Sequence, residues 1–382
     1  PPMTTQTLTE HPVYERTSPS GERIFGLDLL RAMAIIMVML EHGNFLLPSR
    51  YIPYIQAITF DGVSLFFVLS GFLIGGILIR SAEVDGMTVG GLVRFWTRRW
   101  LRTLPTYWLV LIILVMLNMA FTSEYEPGQA LPYALFIQNL DTPHPAFFPE
   151  AWSLSIEEWF YLITPLLIAG SMVVLKPREG ILVTALVCIV AVTCVRYFRL
   201  LDLPMTSTNG WDLLIRKQVV TRLDSLMFGV LGAWSQHYHR AAWLKYRRLL
   251  LFLGVFLLII DHIIIDDEVA GASAYAVVFH FSLIGLATLA LLPASNEFRA
   301  GTGSIVRGIT TISIISYSMY LVNLSLIQFW MLGPLALPTR LTPTLLAVSV
   351  NYALYWVLTV VIAWCLYHGF EKRMTRLRDR WC

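Results

Sequence analysis

Charged residues are scarce in this sequence. Only 14% of its 382 residues are Asp, Glu, Lys or Arg, whereas 56% are hydrophobic, and the mean hydropathy is +0.64. One soluble core cannot bury so many apolar side chains, which excludes an ordinary soluble domain. The composition therefore predicts an all-α integral membrane protein that crosses the bilayer many times.

Cysteine pairs, repeats and a signal peptide are also missing. The four cysteines form no CxxC pair and show no zinc-ligand spacing, so neither a disulfide framework nor a metal site is predicted. Without internal repeats or low-complexity segments, we expect one membrane domain, with no permanently bound cofactor and no nucleic-acid partner. Residues 1–24 lack a signal-peptide pattern, so we expect a disordered cytoplasmic tail there.

Ten apolar segments are long enough to cross a bilayer, judged with a window of about 19 residues. They lie at about 25–47, 58–79, 101–121, 158–175, 180–198, 218–236, 249–266, 273–293, 309–332 and 344–368. An even number of crossings places both termini on one side. Twenty lysines and arginines lie in the loops and tails of that side and seven in those of the other, which predicts that both termini are cytoplasmic. The predicted ten-helix domain is 25–370, followed by a basic cytoplasmic tail, 371–382.

The first segment carries two polar side chains, Arg31 and His42. They are eleven positions apart, which on an α-helix is three turns plus about 20°, so both lie on one stripe about 16 Å apart along the axis. Titratable groups inside a bilayer usually face a protein interior or a wet cavity. The pair predicts a functional path, although a snorkelling arginine and an interfacial histidine would give the same pattern.

The second segment is rich in glycine. Gly62, Gly71, Gly75 and Gly76 have spacings that let helices approach closely in lipid, so we expect a packing role for them. Ser70 lacks the GxSxG surroundings of a serine nucleophile, and none is predicted.

A dense arginine cluster precedes the third segment. Arg94, Arg98, Arg99 and Arg102 lie within nine residues, and a fork of guanidinium groups suits bidentate contact with phosphate. An anchor on lipid head groups explains most such clusters. This density predicts a phosphate-bearing donor bound on the cytoplasmic side.

The fourth segment begins with serine, glutamate and aromatic residues, at 152–161. A helix cap and an interfacial aromatic belt would account for them. Aromatic faces also stack on sugar rings, and a carboxylate can orient a histidine base. We expect this stretch at the outer surface, at the depth of His42. The predicted acceptor-binding residues are Trp152, Ser153, Glu158 and Tyr161.

Four motifs together resemble those of the acyltransferase 3 family of polytopic bacterial membrane O-acyltransferases. In chain order they are D-x-x-R-x10-H at Asp28, Arg31 and His42; G-V-x-L-F-F-V-L-S-G-F at Gly62 to Phe72; R-x-x-R at Arg99 and Arg102, with Pro105 and Tyr107 after it; and W-S-L-S-x-E-E at Trp152 to Glu158. The resemblance covers about residues 24–375. It implies an enzyme that acylates glycans or glycosides, such as O-antigens and exopolysaccharides.

Three positions depart from the family pattern. Ser64 replaces a common acidic residue, Asn323 stands where Y-L-x-H would place a histidine, and Arg373 stands where proline is common. Two titratable groups are thereby lost, so no role for a second histidine is expected. An SGNH-type hydrolase domain is also missing from the sequence, which implies a membrane-only member.

The resemblance and the residues together predict how the donor binds. An acyl-CoA, acetyl-CoA by family frequency, docks its phosphates on Arg98, Arg99 and Arg102. Its pantetheine arm then passes Arg31 towards the outer face. Succinyl or a short branched acyl group stays open.

The predicted catalytic residues are His42, Arg31 and Glu157. His42 acts as general base on an acceptor hydroxyl, and Glu157 orients the imidazole. A covalent acyl-histidine is the alternative chemistry. The expected acceptor is a glycan or glycoside at the outer face.

Two other functions fit the same features. A transporter or flippase of a lipid-linked saccharide would also line its path with charged groups, and a non-catalytic assembly subunit would need no base. The expected location is the bacterial cytoplasmic (inner) membrane. The acceptor's identity and the oligomeric state stay open.

Overall fold

The computed structural model describes residues 23–123, 125–202, 208–270, 273–334 and 345–381. Within these ranges the regular structure is helical, as predicted. We number the α-helices of ten or more residues in chain order: α1 Phe25–Gly43, α2 Gly62–Val84, α3 Val89–Phe121, α4 Ala151–Ser171, α5 Pro177–Asp202, α6 Leu223–Tyr238, α7 Arg240–Ala270, α8 His280–Glu297, α9 Ser304–Val322, α10 Leu345–Leu366 and α11 Lys372–Trp381. Most of the predicted N-terminal tail, residues 1–22, lies outside the described residues.

Seven helical stretches of the described chain are long and apolar enough to cross a membrane. They are Gly62–Val84, Val89–Phe121, Pro177–Asp202, Arg240–Ile265, Tyr275–Glu297, Ser304–Leu332 and Leu345–Leu377. The protein is therefore a multi-pass membrane protein. Helices α1, α4 and α6 cover the three remaining predicted segments but are shorter or more polar, so ten crossings and the orientation of the termini stay predictions.

The arginine cluster lies inside a helix rather than in a turn. Thr88 caps α3, its Oγ1 accepting a hydrogen bond from the backbone N–H of Gly91 at 3.3 Å, and the helix then runs for 33 residues. It passes through Pro105 without ending. Arg98, Arg99 and Arg102 are therefore fixed on one rigid element.

Glycine permits the close contact between α2 and α6. A Cβ on Gly71 would lie 1.9 Å from the carbonyl oxygen of Leu226, and one on Gly229 would lie 2.1 Å from that of Val68. No side chain fits at either position, so the two backbones touch. The predicted packing role is confirmed for Gly71, whereas Gly76 has no neighbour within 4 Å.

Several helices widen locally into π-helix, a feature frequent at functional sites. One such turn, Asn323–Leu332, continues α9, and another, Tyr367–Glu371, joins α10 to α11. Glu371 is buried there and accepts a hydrogen bond from the Ser318 hydroxyl at 2.6 Å. The chain after residue 370 thus stays helical and packs against the domain.

Candidate active site

A large cavity opens between the helices. Its volume is about 1060 Å³, and α1, α2, α3, α4, α6, α7, α8, α9 and α11 contribute to its wall. Small-molecule sites in proteins usually measure about 300–1,000 Å³. The cavity is therefore large enough for an extended ligand.

Positive charge dominates the cavity wall. Nine arginines or lysines line it, against four aspartates or glutamates. Five of these residues are exposed arginines: Arg23, Arg80, Arg240, Arg299 and Arg376. Together with Lys372, one helical turn before Arg376, they form a group that we call the basic mouth. Such a one-sided field attracts a ligand that carries several negative charges.

Three half-buried arginines lie further along the wall: Arg99, Arg102 and Arg31. Arg99 and Arg102 share one face of α3, as their spacing predicts. On α1, Asp28 accepts hydrogen bonds from Nε of Arg23 at 3.0 Å and from the Ser313 hydroxyl at 2.7 Å. These contacts tie α1 to α9 beside Arg31.

A chain of hydrogen bonds crosses the same wall. The hydroxyls of Ser70 and Tyr161 lie 2.8 Å apart, and the Tyr161 hydroxyl donates to Glu157 at 3.2 Å. Glu157 also interacts electrostatically with Arg31 and Arg102. The structure therefore brings Glu157 together with the arginines of the cavity.

His42 lies outside the cavity wall and is half-buried. Its Nδ1 is 2.6 Å from Oδ1 of Asn323. Asn323 follows Tyr320, which lines the cavity and accepts a hydrogen bond from the Ser153 hydroxyl at 2.7 Å. The imidazole thus contacts the residue that lies about one helical turn after Tyr320 in α9.

The comparison with known families decides the identity. A profile described as an acyltransferase domain matches residues 24–368, nearly the whole chain. The chain belongs to the acyltransferase 3 family.

Three curated relatives of this acyltransferase share 32% identity with it. They are the peptidoglycan O-acetyltransferase OatA of Listeria monocytogenes, over 39% of this chain and 25% of the relative; the putative peptidoglycan O-acetyltransferase YrhL of Bacillus subtilis, over 40% and 25%; and the O-acetyltransferase OatA of Staphylococcus aureus, over 40% and 26%. The match thus spans about a quarter of each relative's length. No solved structure matches.

The acyltransferase does not hold all its predicted site residues at the cavity. Arg98 lines a separate small pocket with Arg94. Trp152 is buried beneath the guanidinium groups of Arg216 and Arg222, at 5.5 and 5.9 Å from its ring. The binding roles of Arg98 and Trp152 stay predictions.

Glu158 is also absent from the cavity wall. It is buried against α3, where it accepts a hydrogen bond from the Thr103 hydroxyl at 2.8 Å. This contact places the carboxylate against the arginine-bearing half of α3, and a common depth with His42 stays a prediction. Its role as an acceptor ligand stays a prediction.

Glu157 is not the hydrogen-bond partner of His42 in the described part of the chain; Asn323 is. Sequence reasoning noticed Asn323 only as a departure from the family pattern. His42 and Asn323 are separated by 281 positions in the sequence, so only the fold reveals their contact. The replacement of the family histidine by Asn323 was the sequence feature that pointed to this position.

Ser64, another departure, has a structural explanation. Its hydroxyl donates to Asp61 at 2.6 Å and accepts a hydrogen bond from Nη2 of Arg222 at 2.7 Å. Asp61 lies 3.9 Å from the same guanidinium. The negative charge facing this buried arginine in the acyltransferase is thus supplied three residues earlier.

Proposed function

We propose that this chain is a membrane O-acyltransferase that moves an acyl group from acyl-CoA to a glycan hydroxyl. One observation carries the proposal: a large basic cavity is lined by Tyr320, three residues before Asn323, which contacts His42, the histidine of the family motif. The printed names of the relatives support acetyl as the acyl group and peptidoglycan as the kind of acceptor.

The donor would enter through the basic mouth. Coenzyme A carries three phosphate groups, and guanidinium pairs bind phosphate through charge-assisted hydrogen bonds. Arg99 and Arg102 are the first half-buried arginines available to them, while Arg31 lies deeper beside Asp28. The narrow pantetheine arm would then carry the thioester towards Ser153 and Tyr320.

His42 would act at the far end as general base. It removes the proton from the acceptor hydroxyl, whose oxygen attacks the thioester carbonyl carbon. The carbon–sulfur bond breaks, the ester forms, and the departing thiolate takes the proton from the imidazolium. Protons and electrons balance without any other reactant.

The acceptor would approach from the side opposite the basic mouth. His42 is half-buried but does not line the donor cavity, which supports a separate approach for the second substrate. With the positively charged end in the cytoplasm, the acceptor lies outside the cytoplasmic membrane. The expected product is an O-acylated extracytoplasmic glycan.

Release of coenzyme A from radiolabelled acetyl-CoA tests this proposal. Purified protein in nanodiscs is compared with His42→Ala and with His262→Ala, a control histidine on α7 that contacts the backbone of Ala57. We expect single-turnover release by the wild type and by the control, and a loss of about 10²–10⁴-fold for His42→Ala.

Equal release by wild type and His42→Ala would contradict a histidine base. Absence of release with acetyl-, succinyl- and isovaleryl-CoA alike would contradict an acyl-CoA donor. The His262→Ala control shows whether loss of any histidine damages the protein. The loss in His42→Ala supports a histidine base if His262→Ala releases coenzyme A as fast as the wild type.

A further inference from the structure

Asn323 contacts the imidazole of His42 from the first position of the π-turn that follows α9. Its side chain is fully buried, and its Oδ1 lies 2.6 Å from Nδ1 of His42. This short contact joins two elements that are far apart in the sequence. The other contacts of the Asn323 amide determine which of the two atoms in this contact carries the hydrogen.

The backbone of α9 fixes the orientation of the Asn323 amide. Nδ2 donates to the carbonyl oxygens of Met319 at 3.1 Å and Tyr320 at 2.8 Å. Carbonyl oxygens only accept, so the reversed amide would set Oδ1 against two acceptors and lose both bonds. Oδ1 must therefore face His42.

The tautomer of His42 follows from this orientation. An amide oxygen can only accept, so Nδ1 of the imidazole must carry the hydrogen. A neutral imidazole has a single N–H, and Nε2 is then left with a free lone pair. Among the described residues, Nε2 has no hydrogen-bond partner, so its lone pair is available to a substrate.

We propose that Asn323 is a positioning residue that holds neutral His42 in the Nδ1–H tautomer, so that Nε2 is the atom that accepts the proton from the acceptor hydroxyl. This inference rests on the proposed function, because it takes His42 to be the base. It assigns a role to a position where the family pattern places a histidine.

The π-turn is itself held in place by a buried carboxylate. Glu150 accepts hydrogen bonds from the backbone N–H groups of Leu324 at 3.0 Å and Ser325 at 2.6 Å, and from the Ser325 hydroxyl. Gln328 on the same turn donates to the backbone carbonyl of His42 at 2.9 Å. Both the ring and the backbone of His42 are thus tied to this turn.

A neutral partner suits the charges around this imidazole. Glu41 on the same helix and Arg216 and Lys217 from the chain before α6 interact with it electrostatically, and Glu41 is paired with Arg216 at 3.1 Å. A carboxylate at position 323 would add a full negative charge beside the imidazolium, whereas the amide oxygen of Asn323 is neutral. Asn323 therefore orients the ring without placing an anion next to it.

The test compares Asn323→Asp, Asn323→Leu and the control Gln328→Leu in nanodiscs. Gln328→Leu removes a contact to the backbone of His42 but none to its ring. Rates of acyl transfer from acetyl-CoA are measured across pH. We expect Asn323→Asp to stay active and to need a higher pH, by about one unit or more, before its rate reaches the plateau. For the control, the fall in rate towards low pH should occur at the same pH as in the wild type.

Asn323→Leu should lower kcat by less than His42→Ala does, with little change in the KM for acetyl-CoA, because the ring then populates both tautomers. Thermal unfolding checks that this variant is folded. If it is not, the tautomer of His42 in the wild-type protein, read by NMR, still decides the question.

Nitrogen-15 NMR of histidine-labelled protein reads the tautomer directly, with His42→Ala assigning the signal among eight histidines. We expect a protonated Nδ1 and an unprotonated Nε2 in the wild type. A protonated Nε2 in neutral His42 would overturn this inference. So would a rate of Asn323→Asp that depends on pH as the wild-type rate does, provided that His42→Ala is inactive. Either result would leave the proposed function standing. Wild-type turnover by His42→Ala would overturn the proposed function as well.

Discussion

Arg31 and His42 lie on the same helix but meet different surroundings. Arg31 and Asp28 line the cavity, whereas His42 does not line it and contacts Asn323. The rise of an α-helix separates them by about 16 Å along its axis. In the proposed reaction this distance is covered by the pantetheine arm, so each residue handles a different part of the donor.

Removing one guanidinium from the cavity should weaken donor binding more than it slows the chemical step. For Arg102→Gln we expect the KM for acetyl-CoA to rise about 10–100-fold, since a hydrogen bond to a charged group contributes about 1.5–3 kcal/mol. Steady-state kinetics over a range of acetyl-CoA concentrations measures this, at fixed acceptor concentration.

Arg248→Gln is the matched control for Arg102→Gln. Arg248 is exposed on α7 and does not line the cavity, so its loss removes an equal charge without touching the proposed phosphate site. Similar KM values for the two variants would mean that net charge, rather than Arg102 itself, governs donor binding.

Among the elements, the end of α9 organises the site. There the α-helix gives way to a π-turn, and the backbone groups set free are bound by Glu150 and by the Asn323 side chain. The backbone N–H of Asn323 still bonds to the carbonyl oxygen of Met319, as in a regular helix. The direction of α9 thus brings the amide oxygen of Asn323 to His42.

The contact between α2 and α6 offers a test at the same scale. Gly71→Ala would place a methyl group 1.9 Å from the Leu226 carbonyl oxygen, and since backbone cannot rotate away, the helices must separate. We expect a loss of about 1–3 kcal/mol or more in stability, seen as a lower unfolding temperature in detergent.

Gly76→Ala on the same helix is the control for this packing prediction. The added methyl group meets nothing within 4 Å, and alanine favours helix over glycine by about 1 kcal/mol. Its unfolding temperature should equal or exceed that of the wild type. An unfolding temperature of Gly71→Ala as high as that of Gly76→Ala would contradict close backbone contact.

Much of this could be predicted from the sequence, because apolar length and small-residue spacing depend on local chemistry. The helices fall on the predicted segments, and Gly71 of α2 packs closely as expected. The contact of Asn323 with His42 could not be predicted, because it depends on how α1 meets α9. The contact of Glu158 with Thr103 could not be predicted for the same reason, since it depends on the packing of α4 on α3.

At the scale of the whole molecule, the cavity depends on elements from both ends of the chain. Residues of α1 form one wall, while Lys372 and Arg376 of α11 lie at the basic mouth. The apolar pattern ends before α11, so hydropathy alone assigned it to a tail. Its basic residues instead extend the positive surface that a phosphate-bearing donor would meet first.

The central claim is that donor and acceptor approach the site from opposite ends. Proteoliposomes test it most directly when α11 faces outward, acetyl-labelled acetyl-CoA is outside and a chitooligosaccharide is trapped inside. We predict labelled saccharide in the lumen and free coenzyme A outside, both abolished by His42→Ala. Labelling of saccharide supplied only outside, with none in the lumen, would contradict the account.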